Sequence, residues 1–274
     1  MSEIIWLEDC TWKEAERAVK EAGFCVIPFG SFEQHGGHLP LNTDSRLARG
    51  ILNAAGSSLS AGESSLLLTV LPVVSVGMSP EHADFPGTLS LAKETFFAYA
   101  EALTARLLEL GAKRIVLFNS HGGNTPYLQI AAREYRERYG TIVLLFDVFS
   151  SESIVRFTGP LDYHAGTVET SLMLYLFPEA VRQQGAEANH EKGGRGNTSE
   201  KHPGTRSPAE AAEFFGSPAV PWYSSDFSDS GVIGDPEKAD AALGKQVLDA
   251  LIKEFTELLF RARKILSGGR KNNG

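Results

Sequence analysis

KRIVLFNSHGGNTPYLQIAAREYRERYGTIVLLFDVF, residues 113–149, sets two apolar runs on either side of a segment with a different period. KRIVLFNS (113–120) and TIVLLFDVF (141–149) have strand length and are rich in β-branched and large apolar residues. TPYLQIAAREYRERYG (125–140) between them reads as a helix. A strand, a helix and a second strand in this order imply parallel neighbours in a sheet covered on both faces.

Outward from this unit the alternation continues. FCVIPFG (24–30) reads as a buried strand stopped by Pro and Gly, and SLLLTVLPVVSVG (65–77) as another. SRLARGILNAAG (45–56) places Leu47, Ile51 and Leu52 at helical spacing behind Asp44 and Ser45. AKETFFAYAEALTARLLELG (92–111) repeats apolar residues at Phe96, Phe97, Ala100, Leu103 and Leu107, with Gly111 where a C-cap belongs. TVETSLMLYLF (167–177) begins a helix that Pro178 ends, and 234–266 predicts a long amphipathic helix introduced by Asp235 and Pro236. The expected fold is α/β, a three-layer α/β/α arrangement around a mostly parallel central sheet. Residues 1–267 are expected to form one domain with a long polar insertion at 183–234, and 268–274 a disordered tail.

Bulk properties restrict the function. Hydrophobic residues make up 42% of the chain and charged ones 22%, ordinary for a soluble globular protein. A net charge of −8 without a basic face excludes nucleic acid as a main partner. Cys10 and Cys25 offer no disulfide framework. The acidic start MSEIIWLEDC does not read as a signal peptide, and the apolar runs are too short to span a bilayer. The expected location is the cytoplasm.

Three segments carry chemistry. Beyond strand 24–29 come Glu33, His35, His38 and Asp44; beyond 113–118 comes NSHGGN with His121; beyond 141–149 comes DYHAGTVETS with Asp162, His164 and Glu169. Ligands of open α/β sheets bind outside the carboxyl ends of the strands, so the topology brings all three segments to one rim. Glu33 and His35 are two apart, and in an extended segment their side chains point the same way. Each residue alone would pass as solvated polar surface or a helix-turn residue. All of them at one rim read as a site.

The chain resembles the creatininase (creatinine amidohydrolase) family at IPFGSFEQHGGHLPLNTD (27–44), SPEHADFPGTLS (79–90), NSHGGN (119–124), HAGTVETS (164–171) and SGVIGDPEKA (230–239). The resemblance implies an α/β/α fold, homo-oligomeric assembly (hexamers in creatininases proper) and two divalent ions, Zn²⁺ or Mn²⁺, that hydrolyse an amide C–N bond of a small cyclic or linear amide through a bridging hydroxide. It implies that Glu33, Asp44 and His121 hold one ion and that His35, Asp44 and Glu169 hold the other, with Asp44 bridging. His164 takes the place of the catalytic histidine. His38 is expected to orient the loop, with Gln34, Glu81, Asn119 and Asn124 as supporting or substrate-contact candidates.

Two departures bear on the substrate. Creatininases proper carry Glu two residues after the strand-end histidine, where this chain has Gly123, which makes Glu169 the fifth ligand as in HGGN-type relatives. The Trp residues that close over creatinine lack counterparts, since of Trp6, Trp12 and Trp222 the first two are N-terminal. The alternatives are a formamide deformylase or short-peptide peptidase of the same family, and a metal-stabilised binding protein without turnover. Lys192, Arg195 and Arg206 of the insertion are candidates to meet an anionic substrate group, while His190 and His202 read as surface residues.

Overall fold

The computed structural model describes residues 4–59, 66–159, 162–182 and 221–268. Five strands pair in parallel: β1 (Ile4–Trp6), β2 (Phe24–Phe29), β3 (Leu68–Val70), β4 (Arg114–Asn119) and β5 (Ile142–Asp147), in the order β1-β3-β2-β4-β5. The longer helices are α1 (Trp12–Glu21), α2 (Thr43–Leu59), α3 (Lys93–Glu109), α4 (Thr125–Tyr139), α6 (Thr167–Leu176) and α8 (Ala241–Gly268); α5 (Glu152–Val155) and α7 (Ser224–Phe227) are single turns.

Strand alternation divides the core in two. Phe24, Val26, Val116 and Phe118 point into one layer with Leu47 and Ile51 of α2, Leu172 of α6 and Val247, Leu251 and Phe255 of α8. Cys25, Ile27, Ile115 and Leu117 point into the other, against Val19 of α1, Phe96 and Ala100 of α3, and Leu128 and Ala131 of α4. Phe118 packs against both Phe146 and Phe255, with ring centroids 5.5 and 5.3 Å away. The expected α/β/α layering is therefore present. Because both faces are dry, β2 is buried at every position and shows no alternation in its sequence.

Three readings need correction. The run 65–77 contributes only Leu68–Val70 as strand, since Pro72 has no N–H for the ladder; the chain regains the sheet at Val74, whose N–H donates to Pro28 O at 2.8 Å. The last helix does not start at Pro236: Pro236–Lys238 form a 3₁₀ turn, and α8 starts at Ala241, where Asp240 Oδ1 accepts Leu243 N–H at 2.8 Å. The N-terminal segment, given no element from the sequence, forms β1 and α1, and α1 opens on a capping box between Thr11 and Glu14. Of the 183–234 insertion, residues 221–234 are described. His190, Lys192, Arg195, His202 and Arg206, and the tail after 268, lie outside the described residues.

The loop after β2 leads to α2 in one outer layer, and the loop after the adjacent β4 leads to α4 in the other. This divergence opens a crevice at the carboxyl ends of β2 and β4, the place where doubly wound sheets bind ligands.

Candidate active site

The crevice is filled by polar groups that the sequence scatters over 137 positions, from Glu33 to Glu169. Glu33 and His35 ride on the loop after β2, Asp44 sits in the first turn of α2, His121 follows β4, and Glu169 lies in the first turn of α6. All five are buried, Glu33 and His35 completely. Burying this many ionisable groups is expensive without partners, so their mutual geometry decides what they do.

Asp44 stands at the centre. Its Oδ1 is 3.3 Å from His35 Nε2 and its Oδ2 3.3 Å from His121 Nδ1. Glu33 Oε2 lies 3.2 Å from His121 Nε2, while Oε1 faces His82 Nε2 at 3.3 Å and His164 Nδ1 at 3.7 Å. Ligand atoms of Glu33, His35 and Asp44 fall within 4.8 Å of one another, as do those of His35, His164 and Glu169 and those of Glu33, His82 and His164. The structure thus brings together every residue singled out as a ligand or catalyst and adds His82. His121 stands outside these three triads, its Nε2 donating to Met78 O at 2.7 Å.

Both Glu33 carboxylate oxygens and His35 Nε2 are buried without a hydrogen-bond partner. The second nitrogen of His35, Nδ1, is held by Glu33 O at 3.1 Å, which is how metal-binding histidines are usually oriented. Three carboxylates with imidazole nitrogens facing them form a donor set suited to divalent cations.

The field of the cluster is strong. Burial opposes charge on His35, but Asp44, with Glu169 and Glu33 behind it, carries its pKa up to about 9. Burial likewise opposes ionisation of Glu33, yet His121 and His82 hold its carboxyl below the usual range. Glu169 goes the other way: burial, helped by Asp44 and Glu33, raises it to about 8. His164 is kept neutral by burial and by the neighbouring His82 and His35.

A scaffold of hydrogen bonds holds these side chains. Ser31 donates its hydroxyl to Asp44 Oδ2. Ser120 Oγ sits 2.8 Å from Asp44 O and 3.0 Å from Phe29 O. Asn124 pins three loops: its Oδ1 accepts Met78 N–H at 2.8 Å, and its Nδ2 donates to Gly30 O at 3.0 Å and Asn119 Oδ1 at 3.2 Å. Asn119 Nδ2 donates to His121 O at 2.7 Å and to Asp147 Oδ2 at 2.9 Å, and so braces the His121 turn against β5. Asp162 caps α6, accepting from Thr167 and Val168 N–H at 2.7 and 3.1 Å. His38 Nε2 pairs with Thr170 Oγ1 at 2.8 Å and so braces the loop against α6. Ala165, between the two functional residues of this segment, has φ +52° and donates its N–H to the Glu169 carboxylate.

Gly123 occupies a position where any Cβ would overlap Glu81, Met78 O and His121. The space an H-x-E glutamate would need is taken by Glu81, whose Oε1 is 3.6 Å from His121 Nε2.

Two residues escaped the sequence reading. His82, which lies in a polar stretch of the sequence, is 2% exposed and packs against His164 with ring centroids 4.1 Å apart. Trp222, the indole that is not N-terminal, stands edge-on to His82 at 6.4 Å and to Phe227 at 5.4 Å, so the crevice does have an indole beside it. The only sequence signal for His82 was the SPEHADFPGTLS stretch itself.

Comparisons with known proteins place the chain in a family. The chain is 33% identical over 246 residues to the mycofactocin precursor peptide peptidase of Mycobacterium tuberculosis, covering 86% of this chain and 84% of that protein. It is 30% identical over 203 residues to the creatinine amidohydrolase of Pseudomonas putida, covering 66% and 75%. Among solved structures, Creatininase Mn superposes with a TM-score of 0.71 at 22% identity, over 94% of this chain and 98% of that one. A family model described as Creatininase: Creatinine amidohydrolase matches residues 8–259, so the protein whose rim has just been described belongs to the creatininase family.

Proposed function

We propose that the protein is a dinuclear metal-dependent amidohydrolase that cleaves the C–N bond of an amide in a short peptide. The observation that carries the reading is the buried Glu33 carboxylate, without a hydrogen-bond partner and ringed by His82, His121 and His164. A carboxylate buried among ring nitrogens at that range needs positive charge beside it, which a divalent ion held by these donors would supply.

Glu33, Asp44 and His121 would hold one divalent ion, Zn²⁺ or Mn²⁺, and His35, Asp44 and Glu169 the other. Asp44 supports this division because its two oxygens face different histidines. When bound, such a pair makes water nucleophilic at neutral pH and polarises the amide carbonyl. His164 supplies proton transfer: its Nε2 is tied to Gln34 O at 2.7 Å, so Nδ1 presents its lone pair to the crevice. There it takes a proton during attack and returns it to the leaving nitrogen. The buried surroundings keep His164 neutral and able to accept.

A peptide substrate is favoured by the higher identity and wider coverage of the precursor peptide peptidase, and by Gly123 where creatininases proper carry Glu. A second reading, a small cyclic amide, is favoured by the likeness to creatinine amidohydrolase and by Trp222 at the crevice. Metal-loaded protein should be offered short peptides, creatinine and formamides in parallel. Release of an amine from peptides supports the first reading; turnover of creatinine alone replaces it with the second; no turnover of any amide by a fully loaded sample overturns both. Homo-oligomeric assembly remains part of the proposal, and light scattering tests it.

A further inference from the structure

His164 has a role in the scheme above, and His82, equally buried and packed against it, has none. The hydrogen-bond network around Gln34 supplies one. Gly36 N–H donates to Gln34 Oε1 at 3.0 Å, and Gln34 Nε2 donates to Gly231 O at 2.9 Å. Two backbone groups of opposite polarity therefore fix the amide; its flipped form would set oxygen against oxygen. Gly36 and Gly231 both have positive φ, +64° and +81°, and a Cβ on Gly231 would overlap Gln34 Oε1, so the frame is built around this amide.

The second amide proton of Gln34 points at His82 Nδ1, 3.0 Å away, and Ser224 Oγ stands 2.6 Å from the same nitrogen. A nitrogen that faces an amide N–H carries a lone pair. The proton of His82 is then on Nε2, the atom 3.3 Å from Glu33 Oε1. The backbone carbonyl of the same Gln34 accepts from His164 Nε2 at 2.7 Å, which leaves the lone pair of His164 on Nδ1, 3.7 Å from the same Glu33 oxygen.

We propose that Gln34 locks two adjacent histidines in complementary roles, His164 offering a lone pair and His82 an N–H, so that His82 is a hydrogen-bond donor to the acyl oxygen of the bound amide and not a metal ligand. The distances within Glu33, His82 and His164 alone would admit His82 as a ligand. The amide donor facing its Nδ1 favours the tautomer whose Nε2 carries the proton and so cannot ligate. This assignment rests on the amidohydrolase reading for the donor's target, whereas the tautomer stands on the network alone.

The test separates the two. In protein labelled with ¹⁵N-histidine, long-range ¹⁵N–¹H correlation spectra read which ring nitrogen carries hydrogen, with Zn²⁺ bound or absent. His82 should show a protonated Nε2 and a bare Nδ1 in both. Gln34→Glu, which replaces the amide donor by an acceptor, should move the proton to Nδ1. His82→Phe should bind as much Zn²⁺ as wild type by elemental analysis. On whichever amide the loaded enzyme turns over, it should lose roughly 10²–10³-fold in kcat with KM little changed, the usual worth of one donor at a developing oxyanion. His82→Gln, which restores an N–H, should recover part of that loss. A protonated Nδ1 in wild type, or loss of Zn²⁺ from His82→Phe, overturns the proposal. Wild type that binds no Zn²⁺ while His82 still shows a protonated Nε2 refutes the metal reading and the donor's target but leaves the tautomer standing.

Discussion

Asp44→Asn keeps the shape of the central side chain and removes its charge, and its cost to the metal-free protein should shrink as pH rises. Asp44 is the leading attraction that carries His35 up to about 9, against burial, which pulls the other way. Relative to an ordinary histidine near 6.5, that rise corresponds to about 3 kcal/mol of folding stability. Glu169 and Glu33 contribute to the same rise, so the share of Asp44 is somewhat smaller. The sign follows from the raised pKa. The contribution is fully present below pH 6.5 and is lost as pH climbs through 9. The substitution should therefore cost roughly 2–3 kcal/mol at pH 6 and progressively less towards pH 9.5. Above pH 8 Glu169, which burial first and the charge of Asp44 second raise to about 8, is ionised as well, and the variant escapes its repulsion with Asp44, so the cost falls further, leaving the pairing of Asp44 with His121 as the remainder. Urea denaturation of chelator-treated wild type and variant at pH 6 and 9.5 measures this. An equal cost at both pH values would show that Asp44 acts by packing alone and would refute the electrostatic account.

Metal affinity should rise with pH, because His35 (about 9) and Glu169 (about 8) must both shed protons to bind. Between pH 6 and 8 calorimetric titration with Zn²⁺ should find a gain of up to about 100-fold per pH unit, and a flat profile would contradict the ligand set. His164→Ala should retain metal and slow turnover by roughly 10²–10⁴-fold; loss of metal instead would make it a ligand. Asn124→Ala strips partners from the buried Met78 N–H and Gly30 C=O and should cost roughly 2–4 kcal/mol in denaturant unfolding. A cost below about 0.5 kcal/mol would mean that the three loops hold their places without it.

Much of this architecture is written in local pattern. The helix 125–139 between two apolar runs fixes parallel pairing by itself, because a crossover of that kind can return only to a parallel neighbour. The rim position of Glu33, His121 and Glu169 follows from the same topology. What the chain hides is decided by long-range contact. β3 is only three residues long because Pro72 breaks a run whose composition promises more. β1 exists because Ile4–Trp6 find Leu68–Val70 in space, a partner 64 residues away. His82 lies in a polar, turn-like stretch that no periodicity marks as buried; Ser224, 142 residues on, and Gln34 draw it inside. The late start of α8 has a local cause, since Pro236 serves equally well in a 3₁₀ turn as at the first position of a long helix.

Elemental analysis of protein purified without chelator, alongside Glu169→Gln, reaches the central proposal most directly. Close to two transition-metal ions per wild-type chain, falling towards one in the variant, is the outcome expected if buried carboxylates and imidazoles grip a cation pair around Asp44. A metal-free chain that hydrolyses its amide at full rate would contradict it.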